Sequence, residues 1–295
     1  MPRVAVLYYS QTGQSQRIAD SLYSSYKEKG EDVVLIPIQP RIPYAFPWKI
    51  NRFFEQMPLC IEGHSAEIET LDTSNYQDVE RVVLVHPVWF LSPSLPIQEF
   101  FKLPEIEYLL RSKKFVQILT CRNMWFSAAK ITRQLAISAG ANYCGQIAIE
   151  DPHPNWASLV TTPRWMFSGK KEAFAIFPAA GIPDETFKQL DHSLTQKIET
   201  LFEKNISGEN FNLNRSKSLS LCLEVFGRRF IFKPWAKIIL KSPKALRSVL
   251  LLLFRINLVL FLLAAIPVTE ILSRLVRFPF QSFAKKQQLS LRGSL

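Results

Sequence analysis

Five short runs that are apolar on both faces, most of them followed by a longer stretch with helical spacing, constrain this chain more than anything else in it. Residues 4–9 (VAVLYY), 32–38 (DVVLIPI), 82–86 (VVLVH), 115–120 (FVQILT) and 145–150 (GQIAIE) read as strands. A strand with one face in water alternates apolar and polar residues. These do not, so both of their faces must be covered. Residues 15–29, with Ile18, Leu22 and Tyr26 four apart, and 94–102, 127–139 and 183–203 carry the helical period, and Gly30 stands where the first helix should stop. Strands interleaved with helices predict an α/β three-layer sandwich over residues 1–205, a five-stranded parallel sheet between two helical layers. The 295 residues suffice for that core and an appendage.

Two stretches break the alternation. Residues 39–79 hold Pro40, Pro43, Phe46, Pro47, Trp48, Phe53 and Phe54, and residues 151–181 hold Pro152, Pro154, Trp156, Pro163, Trp165 and Phe167. Both are too aromatic for linkers and are expected to be ordered excursions over the sheet edge. Residues 207–220 are polar and basic, a natural boundary. Beyond it the charge changes: 206–295 carry 15 basic and 3 acidic residues, whereas 1–205 carry 21 and 22, so the last third holds the whole excess of +11.

Within that third, residues 249–266 (VLLLLFRINLVLFLLAAI) have only Arg255 and Asn257 as polar members, the lower length limit for a membrane-spanning helix. A central Arg costs about 2.5–3.5 kcal/mol on insertion scales. Lys233, Lys237, Lys241, Lys244 and Arg247 precede the run and Arg274, Arg277, Lys285 and Lys286 come after it. Positive charge on both sides gives no inside/outside preference. With Phe226, Phe230, Phe232, Trp235, Phe278, Phe280 and Phe283 nearby, it points to an all-α, membrane-associating region over 206–295 that meets an anionic membrane surface through 226–286. The alternative is packing on the sheet domain or across a homodimer. The basic residues sit inside apolar runs, so nucleic acid is not an expected partner. Cys60, Cys121, Cys144 and Cys222 form no CxxC pair and have no His at ligand spacing, which predicts no metal site and a reduced, cytoplasmic compartment. The first residues lead straight into a strand and lack the pattern of a signal peptide.

The joint between the first strand and first helix carries chemistry. Ser10, Thr12 and Ser15 offer hydroxyls, Gly13 allows close backbone approach, and the amides of the loop through Gln14 face a helix N-terminus, so the loop suits a phosphate. It lacks the Lys of a nucleotide P-loop and the GxGxxG of a dinucleotide fold. The competing reading is an ordinary capped turn. The loop resembles the flavodoxin pattern of hydroxyl-x-Thr-Gly-x-Ser/Thr, which cradles the phosphate of flavin mononucleotide (FMN). The resemblance implies a flavodoxin-like fold with the ligand at the carboxyl ends of the strands, beside the point where strand order reverses. The loops after strands three and four would then border the flavin ring. The first offers Pro87, Val88, Trp89 and Phe90, similar to the Pro-x-Trp segment of flavodoxin-like quinone reductases. The second offers Thr120, Arg122, Asn123, Met124 and Trp125, with Arg122 as positive charge for the ring's N1/O2 edge. Cys121 has no His/Asn partner pattern and reads as packing. His86 and His153 are both candidates for acid/base work, and the sequence does not choose between them.

Longer matches narrow the resemblance. Residues 8–14 (YYSQTGQ), Pro47-Trp48 with 53–58 (FFEQMP), 89–96 (WFLSPSLP), 120–125 (TCRNMW) and 161–172 (TTPRWMFSGKKE) resemble a flavodoxin-like family known as dialkylresorcinol condensing enzymes, over roughly residues 5–175. The resemblance implies a pathway that joins two fatty β-keto thioesters, with a ketosynthase as partner. Condensation itself needs a Cys/His/His site that this sequence lacks. The expected activity is therefore an FMN-dependent oxidation that aromatises a dialkyl cyclohexanedione to a dialkylresorcinol. The alternatives are an NAD(P)H quinone reductase, a flavodoxin-type electron carrier and a flavin-free membrane scaffold.

Overall fold

The computed structural model describes residues 3–64, 66–71, 76, 78–204, 215–275 and 282–287. The strands are β1 (Arg3–Tyr8), β2 (Val33–Pro37), β3 (Val79–Trp89), β4 (Ser92–Pro93), β5 (Lys114–Cys121) and β6 (Asn142–Glu150). Five of them form one parallel sheet in the order β2-β1-β3-β5-β6, and the two-residue β4 turns back antiparallel on β3. The chain steps from β1 outward to β2, then crosses back to β3 on the other side of β1. That reversal between β1 and β3 is the flavodoxin-like order, and it leaves a crevice at the carboxyl ends of these two strands.

Alternate residues of each strand enter different cores, which is why the runs are apolar throughout. Val4, Val6, Val83, Val85, Val116 and Ile118 pack under α1 (Gln14–Glu28) and α7 (Asp184–Lys204). Ala5, Leu7, Val82, Leu84 and Phe115 pack under α3 (Leu95–Phe100), α4 (Pro104–Leu110) and α5 (Phe126–Ser138). The first helix buries Ile18, Leu22 and Tyr26, the three residues whose spacing predicts it.

Over their described residues both excursions are ordered, and each contains a helix: α2 (Ile50–Glu62) and α6 (Asn155–Ser168). They meet each other. The Trp48 amide donates to the Met166 carbonyl at 2.7 Å, and Phe46 packs edge-on to Trp165 and Phe53 to Phe167 at 5.5 and 5.4 Å. Together they roof the carboxyl end of the sheet near β1 and β3. The turn from β3 to β4 beneath this roof holds Phe90 and Leu91 at φ 48° and 58°. Positive φ at both central residues is what a two-residue hairpin needs, and it normally selects Gly or Asn. Here packing holds the strained pair, of order 1–3 kcal/mol per residue: the Phe90 ring lies 4.5 Å from Phe53, and Arg228 donates to the Leu91 carbonyl.

The C-terminal region is helical, with α8 (Arg215–Phe226), a π-helical turn at Gly227–Phe232, α9 (Lys233–Lys241) and α10 (Lys244–Leu275). The boundary expected at 205/206 lies outside the described residues. The helices beyond it share cores with the sheet domain. Leu221 of α8 joins Leu119, Trp125 and Phe126, while Met57 and Ile61 of α2 pack with Phe232, Ala236, Ile239, Leu251 and Phe254. A cut at that boundary would uncover these apolar surfaces.

Candidate functional site

The apolar strand β1 delivers the chain to Ser10, and Gly13 turns it at φ 82° into the first turn of α1. That left-handed conformation needs glycine, although a Cβ there would meet nothing within 4 Å. No described side chain caps the amides that open α1. Ser15 Oγ lies 2.8 Å from Thr120 Oγ1, a buried contact that ties the loop to the end of β5. Ser10 Oγ and Gln14 Nε2 are buried and have no hydrogen-bond partner among the described residues. Buried polar groups are almost always partnered, so two orphans at an uncapped helix start fit an anion. The roof closes on this loop from two sides. Gln11 donates to the Ala45 carbonyl and accepts from Trp48 Nε1 at 3.1 Å. Gly181, at φ 79°, presses so close that a Cβ would stand 2.5 Å from Gln14 Nε2.

The two loops expected at the flavin ring take different courses. Trp89 lies in an aromatic cage, with Tyr9, Tyr44 and Trp48 at 5.8, 5.0 and 5.5 Å in edge-to-face contact. Pro87 is half-buried, Val88 leans on the cluster around Leu119, and Phe90 packs on Phe53 of α2. Trp125 instead donates Nε1–H to Glu150 at 3.0 Å, and its ring is buried in the cluster that contains Leu221. The two tryptophans therefore stand in separate clusters. Arg122 turns beneath α6 and donates to Ser158 Oγ at 3.2 Å; burial lowers its pKa, and the charge of Asp151 opposes that shift. The Asn123 side chain donates to Asn155, and Met124 is half-buried.

A cavity of about 510 Å³ opens at the ends of β5 and β6 beneath α8, bounded by Asn123, Trp125, Glu150, Asp151, His153 and Glu224 among others. This volume suits a small organic ligand. His153 Nδ1 is 2.7 Å from Asp151 Oδ1, and Asp151 Oδ2 accepts from the Gly181 amide. The carboxylate thus orients the imidazole and is itself anchored to the loop beside Gln14. The other candidate, His86, is fully buried on the α5 side of the sheet. Gln117 gives both amide hydrogens away, to the Ala129 carbonyl and Tyr143 Oη, so its oxygen is left to face His86 Nε2 at 3.3 Å. Burial pulls the His86 pKa down to about 4. Its neutral imidazole can donate to only one of the two oxygens that face it, Gln117 Oε1 and the Pro87 carbonyl, so this buried ring serves packing, and of the two histidines only His153 lines the cavity. Burial likewise pushes the Cys121 thiol well above its ordinary pKa, against a nucleophilic role.

Glu224 is the group that sequence reasoning missed. It reaches from α8 to the start of α5, where its carboxylate accepts from the Ser127 and Phe126 amides at 2.5 and 3.2 Å. It caps a helix remote in sequence while facing the cavity. Burial raises its pKa to about 7 against those hydrogen bonds and the nearby Arg228. The available signal was a lone acidic residue in the apolar run 218–226 (SLSLCLEVF) of a strongly basic tail.

Strand order, helical layers and the phosphate-type loop at the reversal point define a flavodoxin-like α/β fold extended by a roof and a helical C-terminal region. No protein-family model matches the chain, and no curated protein matches it. Among solved structures it is similar to a flavodoxin of Streptococcus pneumoniae TIGR4 (14% identity, 68% of this chain and 99% of that one, TM-score 0.38). It is also similar to a flavoprotein of Lactobacillus acidophilus NCFM in complex with FMN (16%, 50% and 93%, TM-score 0.39) and to oxidised Flavodoxin 1 of Bacillus cereus (9%, 67% and 97%, TM-score 0.39). Likeness at this level is weak, and the fold assignment rests on the strand order.

Proposed function

We propose that the chain is an FMN-dependent oxidoreductase acting on a hydrophobic cyclic substrate, and that it aromatises a dialkyl cyclohexanedione to a dialkylresorcinol. The observation that carries the reading is the orphaned pair Ser10 Oγ and Gln14 Nε2 at the uncapped start of α1. Ser10, Thr12, Gly13, Gln14 and Ser15 would hold the phosphate. Pro87 to Phe90 and Thr120 to Met124 would border the ring, with the Tyr44, Trp48 and Trp89 cage excluding water, while Trp125, held by Glu150 and packed on Leu221, stands apart. Bound FMN supplies a two-electron acceptor at that position.

The chain's own part is to orient the substrate and move a proton. Aromatisation removes a proton and a hydride from adjacent ring carbons, and the hydrogen beside a carbonyl is already acidic. With Nδ1–H donated to Asp151, His153 presents Nε2 as the base that takes this proton. The roof favours an enzyme over a bare electron carrier, which has no use for aromatic excursions packed over the end of its sheet. The β-keto precursors would be joined upstream by a ketosynthase.

Anaerobic mixing of the FMN-loaded chain with a dialkyl cyclohexane-1,3-dione should bleach the flavin absorbance and yield one resorcinol per flavin. His153→Ala should slow the reaction about 100-fold or more, the scale of a lost general base, without weakening flavin binding. Absence of bleaching by the dione, with rapid reduction by NAD(P)H and turnover of quinones, would assign a quinone reductase instead.

A further inference from the structure

The C-terminal helices present two unusual surfaces that share an edge. The first is the outer side of α10. Leu246, Val249, Leu253, Ile256, Leu260 and Leu263 are all exposed and recur three and four residues apart, which places them in one stripe. The polar residues of the same stretch turn away from it. Arg255 donates to Asn51 Oδ1 at 2.9 Å with its guanidinium over the Phe54 ring, and Asn257 accepts from Trp235 Nε1. Leu251 and Phe254 are buried against α2 and α9. Lys244–Leu263 is long and apolar enough to cross a bilayer, with a mean hydropathy of 2.2. Crossing would strip Leu251 and Phe254 of their packing and bring Arg255 into hydrocarbon, at a cost that lying flat avoids.

The second surface is a cavity of about 440 Å³ between the start of α5 and the π-helical turn. Its cations are Lys130, Arg228, Arg229 and Lys233, and no carboxylate among the described residues lines it. Arg228 is engaged inward with Ser92 Oγ at 2.7 Å, whereas Arg229 and Lys233 are exposed. Phe226 and Phe230 stand half-exposed beside it, 4.7 Å apart, and Phe226 stacks on Phe261 of α10 at 6.3 Å. The basic cavity thus runs into the apolar stripe through aromatic rings. Exposed Lys237, Lys241 and Lys244 continue the positive charge along α9 to the start of α10.

We propose that this combined surface seats the chain on an anionic bilayer. The α10 stripe lies in the interface plane among acyl chains, and the cavity bounded by Lys130, Arg229 and Lys233 takes a lipid headgroup phosphate. A second copy of the chain is the poorer occupant, because it would cover the apolar stripe with another positively charged surface and offer no negative charge to the basic residues beside it. An anionic headgroup layer complements both the charge and the apolar face.

The test is flotation of the full-length chain with vesicles of phosphatidylcholine alone or with a quarter of phosphatidylglycerol. Binding to the mixed vesicles should exceed binding to the neutral ones by about tenfold or more. Arg229→Glu with Lys233→Glu should remove that excess, and Leu253→Glu with Leu260→Glu should abolish binding to both. These side chains are exposed, so thermal melting of either variant should match the parent, and each pair gives an independent reading. Fluorophores attached at Val249→Cys and Leu263→Cys should be quenched at equal depth by nitroxide lipids. A graded depth would mean that the helix spans, and overturns the in-plane arrangement. Equal binding to both vesicles, unchanged by charge reversal, overturns the headgroup site. Failure to bind any vesicle overturns the proposal, and a dimer dissociated by Leu253→Glu with Leu260→Glu would then identify a second copy as the occupant.

Discussion

Gln14→Glu is expected to weaken FMN binding by roughly 10- to 100-fold and to leave riboflavin binding unchanged. The substitution keeps the shape of the side chain. It replaces a buried donor at the start of α1, unpartnered among the described residues, with a carboxylate beside the proposed phosphate position. Loss of a hydrogen bond to a charged group costs about 1.5–3 kcal/mol, and each 1.4 kcal/mol is about tenfold in affinity. Riboflavin has no phosphate, so it should not register the change. Titration followed by quenching of flavin fluorescence reads both ligands. An equal loss for both would place the phosphate elsewhere and make the effect of Gln14 a general one, for example through its contact with Gly181.

The second large effect belongs to Glu224. Its folded pKa is raised to about 7 from an ordinary 4.5, chiefly by burial. Between these values the folded state holds a proton that the unfolded chain has released. The resulting stability is fully present below about pH 4.5 and is lost as pH climbs through about 7. A shift of this size corresponds to roughly 3 kcal/mol. Urea unfolding at about pH 5 and pH 8 should therefore show a fall in stability with rising pH that Glu224→Gln lacks. The neutral variant carries a constant penalty, because one side-chain oxygen cannot serve the Ser127 and Phe126 amides as two do. The difference in pH slope, rather than the offset, isolates the titration. Parallel slopes would mean that the ion reaches solvent or that Arg228 neutralises it.

The strands were legible because each one needs apolar residues on both faces, a demand that leaves an unbroken signature such as VVLVH. The first helix was legible from Ile18, Leu22 and Tyr26. Helices α2 and α6 were not, since Pro58 and Pro163 sit inside them and aromatic residues crowd the flanks, so both read as irregular excursions. Helix α4 was hidden in the same way by its brevity and by Pro104 at its start. At the candidate site, the strand-to-helix loop could be placed because hydroxyls and Gly13 fall between a strand and a helix in consecutive positions. The roof could not, because nothing local in 46–48 announces contact with 165–167. Trp125 shows the limit of position alone: it lies in the loop after the right strand, yet Glu150 holds its indole N–H and Leu221 packs on its ring. Glu224 was invisible for a related reason, as the amides it caps lie 97 and 98 residues away.

The C-terminal third illustrates how composition gives a tendency without a geometry. Arg255 in the middle of a long apolar run reads, in sequence, as a penalty for membrane contact. Its hydrogen bond to Asn51 removes it from the outer face and leaves the exposed stripe wholly apolar. The same helix is at once a packing element and a candidate docking surface.

Flavin uptake decides the assignment most directly. Full-length chain titrated with FMN should quench flavin fluorescence to an end point of one FMN per chain, and the complex should stay yellow through gel filtration. A chain that takes up no FMN under these conditions would contradict the flavin-binding reading and leave the scaffold alternative.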